Sequence, residues 1–155
     1  MRADRTGWIA FLVALALALV TADCARRGGP PPIARGTPCA ACGMKADDLA
    51  FACERQVGRG WRVYDAIECL IGDVVGTEGD AVATPAGAVF LADYDTETLH
   101  DADSLWVVKG SFPTPMGGGY AAFLARAAAE SIAAQTAGRV DRLAAFVAVK
   151  TARAE

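Results

Sequence analysis

The residues of this chain with the most distinctive chemistry carry sulfur. The stretch CAACGM, Cys39 to Met44, sets two thiols and a thioether within six positions, and Cys53 and Cys69 follow it. A second internal methionine, Met116, stands in the stretch TPMGGG. Thiolate and thioether sulfur are the ligands that soft Cu(I) prefers over carboxylate oxygen. A thioether needs no deprotonation and cannot be locked into a disulfide, which suits copper handling in an oxidising compartment. Met44 and Met116 both sit beside glycine, whereas a methionine that fills a core gap more often lies on an apolar helix face.

Other chemistries compete for these cysteines. Counted from Cys39 they are spaced C-x2-C-x10-C-x15-C, without the second close pair of a zinc ribbon and with no H-x3-5-H after them. A thioredoxin-like redox pair needs C-x-x-C opening a helix after a strand, but here prolines precede the pair and Gly43 follows it. A structural disulfide is the plainest alternative, joining Cys39 to Cys42 or Cys53 to Cys69. Four cysteines allow three pairings and the sequence does not choose among them. Cys53/Cys69 is the bridge to expect, because Cys53 falls on an expected strand with no other role. His100, the single histidine, lies in an acidic segment as a solvated residue or as a third copper ligand. The triple glycine lacks the spacing and the lysine of a phosphate loop. No nucleophile has a histidine partner by motif, so the expectation is that the chain is not an enzyme.

These residues are positioned by a chain of 155 residues with formal net charge −3. Trp8 to Val20 is an unbroken apolar run of 13 residues behind Arg2 and Arg5. That is short of the about 20 residues that cross a bilayer and reads as the h-region of a secretory signal over residues 1–23. The following LVTADC resembles a lipobox with Cys24 as the lipidated residue, although Asp23 replaces the usual small residue. Losing residues 1–23 removes two arginines and two aspartates, so the exported chain remains mildly acidic and has no electrostatic case for binding nucleic acid. Residues 24–38, rich in Gly, Pro and Arg, read as a lipid-anchored tether, and 39–155 as one folded domain.

Within that domain, residues 50–56 and 61–64 read as a hairpin across Gly58-Arg59-Gly60. A helix follows, with Asp65 as N-cap, Glu68 as its capping-box partner and a stripe of Ile67, Leu70, Ile71 and Val74. At about 100° per residue, Cys69 lies off that stripe. Residues 88–92 and 105–109 read as strands. Residues 121–137 read as an Ala-rich helix closed by Gly138, and the tail from 139 as a strand or a helix. The order strand, strand, helix, strand occurs once over 49–92 and is expected again from 105. The fold class is therefore α+β, two related ββαβ-like units in one small domain after the signal and tether.

The same motifs resemble the NosL family, lipoproteins that supply copper to nitrous oxide reductase. The resemblance is carried by the lipobox-like cysteine, CAACGM (39–44), VYDAIECL (63–70), LADYDTETLHDADSLWVVKGS (91–111) and TPMGGGYAAF (114–123). It implies a Cu(I) chaperone on the periplasmic face of the cell envelope, anchored through Cys24 to the outer membrane, with apo nitrous oxide reductase as its partner. It also implies that Cys39 or Cys42 shares the copper with Met116, with Met44 nearby. Glu68 stands where the family more often has glycine, a departure expected to matter little. The alternative function is a periplasmic thiol-disulfide lipoprotein using the C-x-x-C pair.

Overall fold

The computed structural model describes residues 29–78 and 87–152. The signal segment, Cys24 and the first part of the tether lie outside the described residues, as do residues 79–86 of the expected loop after the first helix. No helix among the described residues is long and apolar enough to cross a membrane.

A short hairpin comes first, β1 (Thr37–Pro38) with β2 (Lys45–Ala46). Its first strand falls inside the stretch read as tether, and Arg35 ties that stretch to the domain through Glu97, 2.6 Å away. The first ββαβ unit consists of β3 (Cys53–Val57), β4 (Gly60–Tyr64), α1 (Ile67–Glu78) and β5 (Val89–Ala92), with β6 (Leu99–Asp101) added at the edge. The second consists of β7 (Trp106–Lys109), β8 (Tyr120–Phe123), α2 (Arg126–Gln135) and β9 (Arg139–Asp141), followed by α3 (Leu143–Thr151). The sheets run β4-β3-β5-β6 and β8-β7-β9, antiparallel at every pairing. In both units the first strand is central, the second pairs on one side and the strand after the helix on the other. The expected repeat is thus present as a shared topology.

The two helices use this frame differently. Along α1 the predicted stripe of Ile67, Leu70, Ile71 and Val74 is buried against Cys53, Tyr64 and Leu91 of the first sheet, Val107 and Ala122 of the second, and Phe146 and Val147 of α3. On the opposite face of the second sheet, Val108, Ala121 and Phe123 pack on Ala129 and Ala133 of α2. Val107 and Val108 therefore feed two separate cores, as successive strand residues must.

Several local expectations change. Residues 49–51 form a 3-10 turn, so the strand begins at Cys53. Residues 121–123, read as the start of the Ala-rich helix, are strand β8, with Val107 opposite Ala122 and Val108 opposite Ala121. Alanine favours helix only weakly, and a strand covered on both faces has room for small side chains. The C-terminal stop of α2 is made by Ala137, at φ +49°, with Gly138 donating to the Ala133 carbonyl at 2.7 Å. The left-handed position thus falls one residue before the expected glycine. The tail is both strand and helix. Finally, the backbone of α1 starts from the Ala66 carbonyl, which accepts from Cys69 and Leu70, so Asp65 is not its N-cap. Its carboxylate is occupied elsewhere.

Candidate metal centre

The CAACGM stretch is the loop of the β1–β2 hairpin. Cys39 N–H donates to the Met44 carbonyl at 2.7 Å and Gly43 N–H to the Cys39 carbonyl at 3.0 Å, closing the loop on itself. Gly43 has φ +75°, a conformation that favours glycine and explains its place between the thiol and the thioether. Ala40 N–H donates to the Val63 carbonyl at 2.8 Å and fixes the loop to the edge of β4. The turn buries Cys39, 3% exposed, and leaves Cys42 at the surface.

Two residues from the start of α1 meet this loop. The sulfurs of Cys39, Cys42 and Cys69 and a carboxylate oxygen of Asp65 all lie within 4.8 Å of one another. Cys42 Sγ donates to Asp65 Oδ1 at 3.6 Å, the bond that takes Asp65 from its expected capping role. Two thiolates bound at about 2.3 Å to one ion stand at most about 4.6 Å apart, so the cluster is within a small closure of holding a metal. Burial pushes the Cys69 thiol far up from its ordinary range, and the neighbouring Asp65 carboxylate and Cys39 act in the same direction. Partial desolvation also raises Cys42, against a hydrogen bond from the Met44 backbone. In the metal-free protein Cys42 and Cys69 thus favour the thiol form, and an incoming soft ion must displace their protons.

The turn that carries Met116 is tied to the same helix at Glu68, one residue before Cys69. Glu68 Oε1 accepts from Thr114 Oγ1 at 2.8 Å and from Gly118 N–H at 2.9 Å, while Gly119 N–H donates to Thr114 Oγ1 at 3.1 Å. The glycines make this closure feasible. A Cβ on Gly118 would lie 2.6 Å from Glu68 Oε1, and one on Gly119, at φ +70°, 2.0 Å from the Gly110 carbonyl oxygen. Glu68 is thus the clasp between α1 and the methionine turn, rather than a substitution of little effect. Neither Asp65 nor Glu68 stands out in the sequence as a site residue. Their only signal is a D-x-x-E spacing that also spells a capping box.

The remaining candidates are placed as follows. Met44 and Met116 are exposed, at 48% and 41%. His100 sits on edge strand β6 opposite Leu91 and is not among the four clustered groups. Cys53 is fully buried and donates to the Ala66 carbonyl at 3.7 Å, while Cys69 faces Cys39 and Cys42. The four described cysteines stand as free thiols. A cavity of about 720 Å³ bounded by Lys109, Tyr120, Arg139 and Phe146 includes none of the sulfurs.

No protein-family model matches the chain, and no curated protein matches it. Among solved structures, it is similar to the crystal structure of the copper chaperone NosL from Shewanella denitrificans. The TM-score is 0.59 at 19% identity, covering 73% of this chain and 94% of that one. The chain therefore has a NosL-like α+β fold, with a cysteine-rich group able to hold a metal at the junction of its first hairpin and first helix.

Proposed function

We propose that this chain is a Cu(I) chaperone that carries copper on Cys39 and Cys42, with Met116 completing the site and Met44 beside it. The observation that carries the reading is the convergence of three thiols at one point, one of them solvent-exposed, beside a helix to which the methionine turn is clasped through Glu68. Sulfur ligands select Cu(I), and the exposed Cys42 leaves one side open to attack by an acceptor's ligands. Transfer is then ligand exchange: each sulfur–copper bond breaks as an acceptor–copper bond forms, and the thiols regain their protons from water. The acceptor is apo nitrous oxide reductase and the setting the periplasmic face of the outer membrane, with the chain held through lipidated Cys24. The motif resemblance and the fold likeness support this assignment. The alternative redox role has less support, because a reactive thiol requires a lowered pKa and that of Cys42 is raised.

An anaerobic Cu(I) competition titration tests the reading. Cys42→Ala combined with Met116→Ala is expected to weaken Cu(I) binding by about 100-fold, two lost ligands each costing roughly the tenfold expected of a metal-site change. Unchanged affinity in the double variant refutes it.

A further inference from the structure

Asp65 is unexplained by copper. Cu(I) has little use for a carboxylate oxygen, yet Asp65 is 1% exposed and stands among three sulfurs. Oδ1 accepts the Cys42 thiol, whereas Oδ2 is buried with no hydrogen-bond partner. Among the described residues no Lys or Arg forms an ion pair with it. A buried carboxylate placed this way strongly favours a cation beside it.

We infer that Cys39, Cys42, Cys69 and Asp65 form a four-donor site for a borderline divalent ion of the zinc class, distinct in ligand set from the copper site. The inference uses two of the same sulfurs but does not rest on the copper reading. Three sulfurs and one oxygen match the tetrahedral, four-coordinate preference of Zn²⁺, which accepts thiolate and carboxylate together. Donors at about 2.3 Å for sulfur and 2.0–2.2 Å for oxygen would stand roughly 3.6 to 3.8 Å apart. The cluster has to contract by about one ångström from its 4.8 Å limit, and Cys42 at the exposed loop tip has the freedom to move. Charge favours the same ion. Three thiolates and a carboxylate carry four negative charges, of which a divalent ion offsets two, leaving the net charge of a zinc site built from four cysteines. A monovalent ion would leave three in a site where two of the three cysteines and the aspartate are buried. In binding, the metal displaces one proton from each thiol to solvent and no electron moves. Met116 has no part in this site, and Asp65 decides which class of ion takes all four donors.

The test uses the exported chain, reduced and metal-free, titrated anaerobically with Zn²⁺ and separately with Cu(I) against competing chelators. Wild type is expected to bind one Zn²⁺. Asp65→Asn, which keeps shape and removes charge, is expected to weaken Zn²⁺ by at least about tenfold, and to weaken it more than Cu(I), which feels Asp65 only through Cys42. Met116→Ala is expected to leave Zn²⁺ binding unchanged. Cd²⁺, used as a spectroscopic stand-in, gives a thiolate-to-metal absorption that should lose about a third of its intensity in Cys69→Ser, independently of Asp65. The inference is overturned if Asp65→Asn leaves Zn²⁺ affinity intact, if it weakens both metals by the same factor, or if Cys69→Ser keeps the full Cd²⁺ band. Should wild type ignore Cu(I) while its Zn²⁺ affinity depends on Asp65, the copper reading fails and this one stands.

Discussion

Removing the Glu68 clasp should free the methionine turn without unfolding the domain. Glu68 Oε1 holds Gly118 N–H at 2.9 Å and the Thr114 hydroxyl at 2.8 Å, two polar links from α1 to this turn. A hydrogen bond to a charged acceptor contributes about 1.5–3 kcal/mol. Losing the one to Gly118 in Glu68→Ala should therefore raise the population of open turn by about 10- to 100-fold, at about 1.4 kcal/mol per tenfold. Amide hydrogen exchange at Gly118 reads that population directly when exchange proceeds by local opening. Glu68→Gln keeps a neutral carbonyl acceptor and should fall between, with about 3- to 10-fold faster exchange. The hydrophobic stripe of α1 is untouched, so amides of Leu70 and Ile71 should keep their protection in both variants. If Met116 shares the copper, Cu(I) affinity should fall in the same order, because part of the binding energy is spent on ordering the turn. Gly118 exchange in Glu68→Ala within twofold of wild type would refute the clasp, and with it the claim that this turn is held for function.

Glu54, buried on β3, has its carboxyl pushed up to about 7 from 4.5 by desolvation. The folded protein then keeps a proton that the unfolded chain has released, so the contribution of Glu54 to stability is largest below about pH 4.5, falls as pH rises toward 7 and levels off above it. The loss is roughly 3 kcal/mol, about 10 °C in thermal midpoint between the two ends, and Glu54→Gln should abolish that slope. A Glu54→Gln variant whose midpoint keeps the wild-type dependence on pH through this window would count against this reading of Glu54. Gly119→Ala forces a side chain onto the Gly110 carbonyl in a left-handed backbone. It should cost at least about 2 kcal/mol by denaturant melting, whereas Gly117→Ala, also at positive φ but in open space, should cost only about 1 kcal/mol.

Much of this architecture is legible in the residue order because it depends on neighbours a few positions apart. The stripe of Ile67, Leu70, Ile71 and Val74 needs only the helical period, and the β3–β4 hairpin needs only two alternating strands and Gly58 at φ +61°. Local propensity misled at residues 121–123, where pairing with β7 and cover on both faces outweighed alanine's small preference for helix.

The site is where sequence alone was least sufficient. Residue types point to sulfur ligation and the element order to a repeated ββαβ unit, while the sharing of a metal between these sulfurs and Met116 is only what the family resemblance implies. Residue types and element order did not determine which cysteines meet. Cys69 joins Cys39 and Cys42 rather than Cys53 because the first turn of α1 points it at the hairpin loop, while Cys53 lies beneath Ala66 on the strand. Asp65 and Glu68 have the spacing of a local cap, yet one carboxylate reaches back to Cys42 and the other forward to Gly118. Only the packed chain chooses between these uses, because short-range spacing is identical for both and the deciding partners lie 23 and 50 residues away.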